Sequence, residues 1–350
     1  MNMKLRNIPF SPPDMTEAEV SEVREAILSG WITTGPKTKE FERLIAICCQ
    51  TKKAVALNSA TAAMELTLRV LGVGPGDEVI VPAPYFAEYG HYCANHGGTL
   101  RPVPTKNDFS LDIDAIKAAL TEKTAAVIIN SPNNPTGRIY SREEIQALSA
   151  VLTAHGEKTG RYPYIVCDEP YRAITYGGKK VAPVFPEYRQ AVVVTSFAKN
   201  LSVPGERIGY IAVNPASDDA SEMVAACILA TRILGFVNAP AFFQKVIARS
   251  WNARCDYSLY EKRCREIMEI MDYAGLQYAK PEGAFYLFVK VPEGWNGDDM
   301  AFTEHLKKFN ILCAPGTGFG GKGWFRISYC VAEKTILNSK EAFYKAIHSK

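Results

Sequence analysis

Residues 191–213 read AVVVTSFAKNLSVPGERIGYIAV. The stretch holds two apolar, β-branched runs, Ala191–Ser196 and Ile208–Val213, each the length of a buried strand. Between them stand Lys199 and, eight residues further on, Arg207. A surface position explains most lysines, but one set between two apolar strands is unusual. A desolvated amine has a lowered pKa and can attack a carbonyl carbon, which is Schiff-base chemistry.

The same kind of run recurs upstream, at Ala54–Leu57, Glu78–Pro82, Leu100–Val103, Ala125–Asn130 and Tyr164–Asp168. Amphipathic stretches such as Ala62–Leu71, Ser141–Thr153 and Ser221–Leu234 lie between most of the runs. Strands alternating with helices predict an α/β fold with a mostly parallel, doubly wound sheet covered on both faces. Thr16 with Glu19 makes a capping-box pattern at the start of a first helix, and Gly30 stops it. Beyond residue 240 the pattern changes. A long helical stretch, Ala241–Tyr273, precedes a strand at Ala284–Val289, a helix at Asp298–Phe309, two short strands and a last helix at Lys334–His348. This predicts a smaller α+β domain at 241–350, a large domain at 36–240, and an N-terminal segment, 1–35, packing on or near the small domain.

Composition excludes several classes. The chain has 350 residues, 47% hydrophobic and 22% charged, which are ordinary globular values. A net charge of +3 spread along the chain gives no nucleic-acid surface. No apolar run approaches the length of a membrane span, about 20 residues. Met1–Pro13 lacks the apolar core of a secretory signal. Nine cysteines without a C-x-x-C pair read as reduced thiols in a cytoplasmic protein, with no metal site expected.

In open α/β sheets ligands bind beyond the carboxyl ends of the strands. Four such ends carry suggestive residues. Asn58-Ser59-Ala60-Thr61 runs into a helix, whose first N–H groups favour an anion such as phosphate; alone, the segment reads more simply as a Ser/Thr N-cap. Asn130 to Gly137 is a tight loop with two prolines and three asparagines. Asp168-Glu169-Pro170-Tyr171 delivers a carboxylate at a strand end, where a lone Asp is more often a cap than a catalyst. The fourth end carries Lys199.

Taken together, these ends resemble the fold type I pyridoxal-phosphate enzymes, specifically class I aminotransferases of the aspartate aminotransferase kind. The motifs that carry the resemblance are SPNNPTG at 131–137, DEPY at 168–171, SFAKNLSVPGERIGY at 196–210, GAFYLF at 283–288 and FRISYC at 325–330. The resemblance covers about residues 83–350. Residues 1–82, with Phe10-Ser11-Pro12-Pro13, the Trp31–Pro36 stretch and Val55–Ser59, instead resemble DegT-type nucleotide-sugar aminotransferases, which share the fold.

The resemblance implies pyridoxal 5'-phosphate as cofactor and a catalytic set of Lys199, Asp168 and Tyr171. Lys199 would form the Schiff base and Asp168 would pair with the pyridine nitrogen. Asn134 and Tyr171 would hydrogen-bond the phenolic oxygen. Ser59, Ala60, Thr61, Ser196 and Arg207 would hold the phosphate, and Phe86 would cover the ring. Arg326, with Asn134, would take the substrate α-carboxylate. Arg232 falls about one position from an arginine that, in aspartate aminotransferases, reaches a side-chain carboxylate in the partner's site; a helix-end arginine facing solvent remains the simpler reading. The implied activity moves an amino group between an amino acid and a 2-oxo acid in a homodimer. A C–S lyase, a nucleotide-sugar aminotransferase and a coenzyme-binding protein without turnover remain the alternatives.

Overall fold

The structure is a computed structural model that describes residues 15–348 except 252 and 254. The Phe10–Pro13 motif and the Met1–Pro13 start therefore lie outside the described residues. Two helices open the described chain, α1 (Glu17–Leu28) and α2 (Pro36–Cys48). The capping box at α1 is formed: Glu19 accepts from the Thr16 N–H at 2.7 Å, and Thr16 accepts from Ala18.

The large sheet is built from β1 (Ala54–Leu57), β2 (Glu78–Ala83), β3 (Thr99–Pro104), β4 (Thr124–Asn130), β5 (Tyr164–Asp168), β6 (Ala191–Ser196) and β7 (Gly209–Val213). Between β1 and β5 run α3 (Ala60–Val70), α4 (Tyr89–Ala94), α5 (Ile113–Ala119) and α6 (Arg142–Thr159); α7 (Ala220–Ile233) follows β7. The order across the sheet is β1-β7-β6-β5-β4-β2-β3. Only β7 runs against its neighbours, β1 and β6; the other pairings are parallel.

Both faces of the sheet are buried. Val79, Val81, Val192 and Val194 meet α3, α4 and α7, whereas Ile80, Val193, Ile129 and Ile165 meet α5 and α6. Alternate residues of a strand point to opposite faces, so a sheet covered twice needs continuous apolar runs. Every residue of β4, β5 and β6 is buried, as their composition predicts.

The C-terminal part differs from expectation in its helices. The stretch Ala241–Tyr273 is two helices, α8 (Ala241–Arg249) and α9 (Ser258–Ala274). Just ahead of α9, Asp256 accepts from the Ser258 N–H at 3.0 Å, a local side-chain bond of the kind found in turns. The last helix is likewise divided, into α11 (Glu333–Asn338) and α12 (Lys340–His348), where the Ser339 hydroxyl donates to the Ile336 carbonyl. Between these helices lie β8 (Tyr278–Ala279), β9 (Tyr286–Lys290), α10 (Asp299–Lys307), β10 (Ala314–Pro315) and β11 (Trp324–Ser328). The four strands form an antiparallel sheet in the order β10-β11-β9-β8.

Helix α8 packs away from that sheet. Its Ile247 joins Phe41 and Ile45 of α2 in one core, and its buried Lys245 pairs with Glu22 (3.3 Å) and Glu25 of α1. The small-sheet core takes Tyr171, Ile174 and Tyr176 from the β5–β6 connection. Among the described residues no helix is long and apolar enough to cross a membrane.

Candidate active site

The carboxyl ends of β1, β4, β5 and β6 open on one edge of the sheet. Asn130 and Asp168 are paired in register on β4 and β5, so their side chains emerge side by side. Asn130 Nδ2 donates to the Asp168 carbonyl at 2.8 Å, and Asn130 Oδ1 accepts from the Asn134 N–H at 2.7 Å. One asparagine thus fixes both the end of β5 and the start of the 131–137 loop. A cavity of about 290 Å³ lies at this edge. All ten predicted coenzyme-binding and catalytic residues line it, from Ser59, Ala60 and Thr61 through Phe86, Asn134, Asp168 and Tyr171 to Ser196, Lys199 and Arg207. Arg326 lines it too, from β11.

Asp168 is buried. Its Oδ2 accepts from the Tyr89 hydroxyl at 2.6 Å, while its Oδ1 has no hydrogen-bond partner. Burial pushes the carboxyl up to about 7, and the neighbouring Glu169 charge adds to the shift; the Tyr89 bond works the other way. Lys199, three residues past β6, has its amine 5.9 Å from the Phe285 ring centre. Burial lowers its pKa, and the charges of Arg326 and Arg207 lower it further, against an opposing effect of Cys330.

Arg326 lies between two rings, 4.5 Å from the centre of Tyr286 and 4.6 Å from that of Phe319. Its Nη1 donates to Asn134 Oδ1 at 2.8 Å, and its buried Nε is unpartnered. Stacking holds the guanidinium plane while leaving donors for a carboxylate. The Tyr171 and Tyr286 hydroxyls lie 2.9 Å apart, and burial raises the pKa of each. Phe86 meets Tyr89 edge-on at 5.6 Å.

At the other end of the cavity Ser59 caps α3 by accepting from the Ala62 N–H at 3.0 Å, and Thr61 bonds Tyr92 at 3.2 Å. Arg207 has a positive φ of 52° and donates to the Pro204 carbonyl at 2.8 Å. Gly209 makes this end possible. A Cβ there would lie 2.5 Å from the Thr195 carbonyl oxygen and 3.2 Å from the Ala60 nitrogen. Its lack of a side chain brings the start of α3 beside Ser196.

Tyr89, Tyr286 and Asn130 are the site residues that reasoning from sequence did not single out. Tyr89 carried a weak signal, standing three residues after Phe86. Arg232 is exposed in the last turn of α7, outside the cavity lining. A larger cleft, about 790 Å³, lies behind the 131–137 loop around Arg138, Lys179 and Glu282. It holds none of the residues above, and the chemistry belongs to the smaller cavity.

These features fit pyridoxal phosphate. The bare, buried Asp168 oxygen suits a protonated ring nitrogen, the desolvated Lys199 amine suits an aldehyde, and the α3 start beside Arg207 suits a phosphate.

Comparisons with known proteins agree. The sequence model of the family "Aminotransferase class I and II" matches residues 11–343. The match includes most of residues 1–82, so the separate likeness to DegT-type enzymes is not carried over. The aspartate aminotransferase of Geobacillus stearothermophilus is 32% identical over 330 residues, covering 89% of this chain and 79% of that one. A probable aspartate/prephenate aminotransferase of Aquifex aeolicus is 30% identical, covering 83% and 75%. The crystal structure of an aminotransferase from Eubacterium rectale superposes with a TM-score of 0.89 at 35% identity, covering 97% of this chain and 88% of that one. A match that runs through both sheets and every strand end of the cavity means that this chain belongs to the class I and II aminotransferases, enzymes that work with pyridoxal 5'-phosphate.

Proposed function

We propose that the chain moves amino groups between an α-amino acid and a 2-oxo acid, with Lys199 carrying the coenzyme. The observation that carries the reading is the pairing of a desolvated lysine and a half-satisfied buried aspartate in one cavity. When bound, the coenzyme supplies an electron sink for the pair left at the substrate Cα. Asp168 holds the proton on the ring nitrogen. Lys199 would move the substrate proton from Cα to the C4' atom, and burial, by lowering its pKa, shifts the amine towards the basic form this step needs. Arg326, held between Tyr286 and Phe319, grips the α-carboxylate through Nε and a second nitrogen. Ser196, Arg207 and the Ser59–Thr61 helix start hold the phosphate, Phe86 covers the ring, and Asn134 with Tyr171 takes the phenolic oxygen.

The three-part division of the chain, 1–35, 36–240 and 241–350, goes with this reading, with α8 as the joint on which α1 rests. So does a homodimer: the α1–α2 link and α7 expose Trp31, Ile32, Leu229 and Ile233, each more than half open. A cytoplasmic place agrees with nine cysteines of which none is in a disulfide. The stacked guanidinium favours a carboxylate-bearing substrate over a nucleotide sugar, and nothing in the cavity favours a C–S lyase.

The test is a half-reaction followed by absorbance on sedimentation-sized fractions of the holoenzyme. Addition of an amino acid alone should shift the coenzyme band, and a 2-oxo acid should restore it, in the dimer fraction. A 2-oxo product that accumulates catalytically with no acceptor would contradict the reading, as would activity confined to monomer.

A further inference from the structure

The turn 281–283, which leads into β9, is wedged behind the loop that carries Asn134. Gly137 makes room for it: at φ 72°, a Cβ on Gly137 would lie 2.7 Å from the Pro281 Cβ and 3.0 Å from the Gly283 carbonyl oxygen. The Gly137 carbonyl accepts from both the Glu282 and Gly283 N–H groups, at 2.9 and 3.1 Å. The Glu282 carboxylate closes the joint. Its Oε2 accepts from the Ile139 N–H at 2.9 Å, and its Oε1 pairs with Arg138 at 3.3 Å and with Lys179. The Glu282 side chain is only 13% exposed, so its bonds to Ile139 and Arg138 are partly shielded from water.

On the cavity side the same loop is met from β11, where Arg326 donates to Asn134. Arg326 is paired with Phe288 on β9, the strand that the wedge leads into. A closed ring results: Glu282, β9, Arg326, Asn134, Ile139 and back to Glu282.

We infer that Glu282 is a positioning residue for substrate binding. It acts through the 131–139 loop and β9 to fix the Arg326 guanidinium against Asn134, and so sets the geometry at which a substrate carboxylate is received. This rests on the reading of Arg326 as the carboxylate receptor. Glu282 touches neither substrate nor coenzyme; its three partners lie on the opposite side of the loop from the cavity. Loss of its carboxylate bonds leaves the turn tied to the loop by the Gly137 backbone bonds alone, which loosens the joint and costs substrate affinity, while Lys199 and Asp168, held by β5 and β6, keep their places.

The experiment measures the inhibition constant of propionate, an unreactive carboxylate, against the amino-acid substrate. It uses the holoenzyme and the variants Glu282→Ala, Glu282→Gln and Arg326→Lys, with KM and kcat determined in parallel. Arg326→Lys should weaken propionate, since a point-charge ammonium cannot reproduce the fork. Glu282→Ala should raise the propionate constant and KM by about three- to tenfold, with kcat changed less than about twofold. Glu282→Gln should fall between, because its amide oxygen still accepts from Ile139; if the alanine variant does not fold, a rise in Glu282→Gln supports the inference and parental values overturn it. Propionate weakened by Arg326→Lys but unaffected by Glu282→Ala overturns the inference and leaves the function standing. A fall in kcat without a change in KM overturns it as well. Propionate unaffected by Arg326→Lys overturns the reading of Arg326 and the inference together.

Discussion

Asp168, to which the proposed function gives the ring nitrogen, is destabilising as a buried carboxylate without a ligand. Its folded pKa, about 7, lies above the ordinary 3.8. Between those values the folded chain holds a proton that the unfolded chain has released. Stability contributed by the neutral form is therefore lost as pH rises from about 4 to about 7. Asp168→Asn keeps the shape and removes the titration. In coenzyme-free protein it should raise the melting temperature by several degrees at pH 8 and leave it unchanged at pH 4, measured by calorimetry. An equal shift at both pH values would mean that burial of the carboxylate is not the cause. The same substitution should lower the half-reaction rate, because an amide cannot keep the ring nitrogen protonated. Lys199 was legible in the sequence because it stands between two apolar strand runs, whereas Asp168, which alone reads as a cap, and Arg326 were reached through the family resemblance. Tyr89 was not. Its partner is 79 residues away in the chain, and an aromatic residue in a short helix reads as core. Tyr286 hides similarly, inside the apolar run of β9.

At the scale of elements, periodicity carries most of the fold. The largely apolar runs of β4, β5 and β6 fit central strands of a sheet covered on both faces, and each lies within a residue or two of its expected place. Helix breaks were less legible. Ala241–Tyr273 keeps an apolar periodicity that does not register the interruption between Arg249 and Ser258. The antiparallel insertion of β7 is invisible for a different reason: a short connection between β6 and β7 fits either direction until pairing is known. That insertion depends on Gly209, whose hypothetical Cβ meets backbone atoms on two sides. Backbone cannot rotate away as a side chain can. Gly209→Ala should therefore push the α3 start from Ser196 and weaken coenzyme affinity, at a cost of about 1–3 kcal/mol in overpacking. Gly205→Ala, with open space around it, serves as the control. A fluorescence titration of the coenzyme giving the parental affinity for Gly209→Ala would show that the phosphate end does not need this close approach.

The molecule as a whole places one cavity between two cores. The large sheet contributes Asp168, Lys199 and Asn134, and the small sheet contributes Arg326 and Tyr286. Tyr171 crosses from one to the other, packing edge-on against Phe285 at 5.3 Å while its hydroxyl meets Tyr286. On the proposed reading, coenzyme attachment falls to the large sheet and substrate capture to the small one, which makes the Asn134–Arg326 bond the natural place for the two to be coupled. The central claim is that Lys199 carries the coenzyme, and it can be read directly. Protein loaded with pyridoxal phosphate is treated with borohydride, which makes a coenzyme–lysine link permanent, then digested and mapped by mass spectrometry. The account predicts the added mass on the peptide containing Lys199 and its loss in Lys199→Ala. A modified lysine elsewhere with Lys199 untouched, or a Lys199→Ala variant that still carries one stoichiometric link, would contradict it.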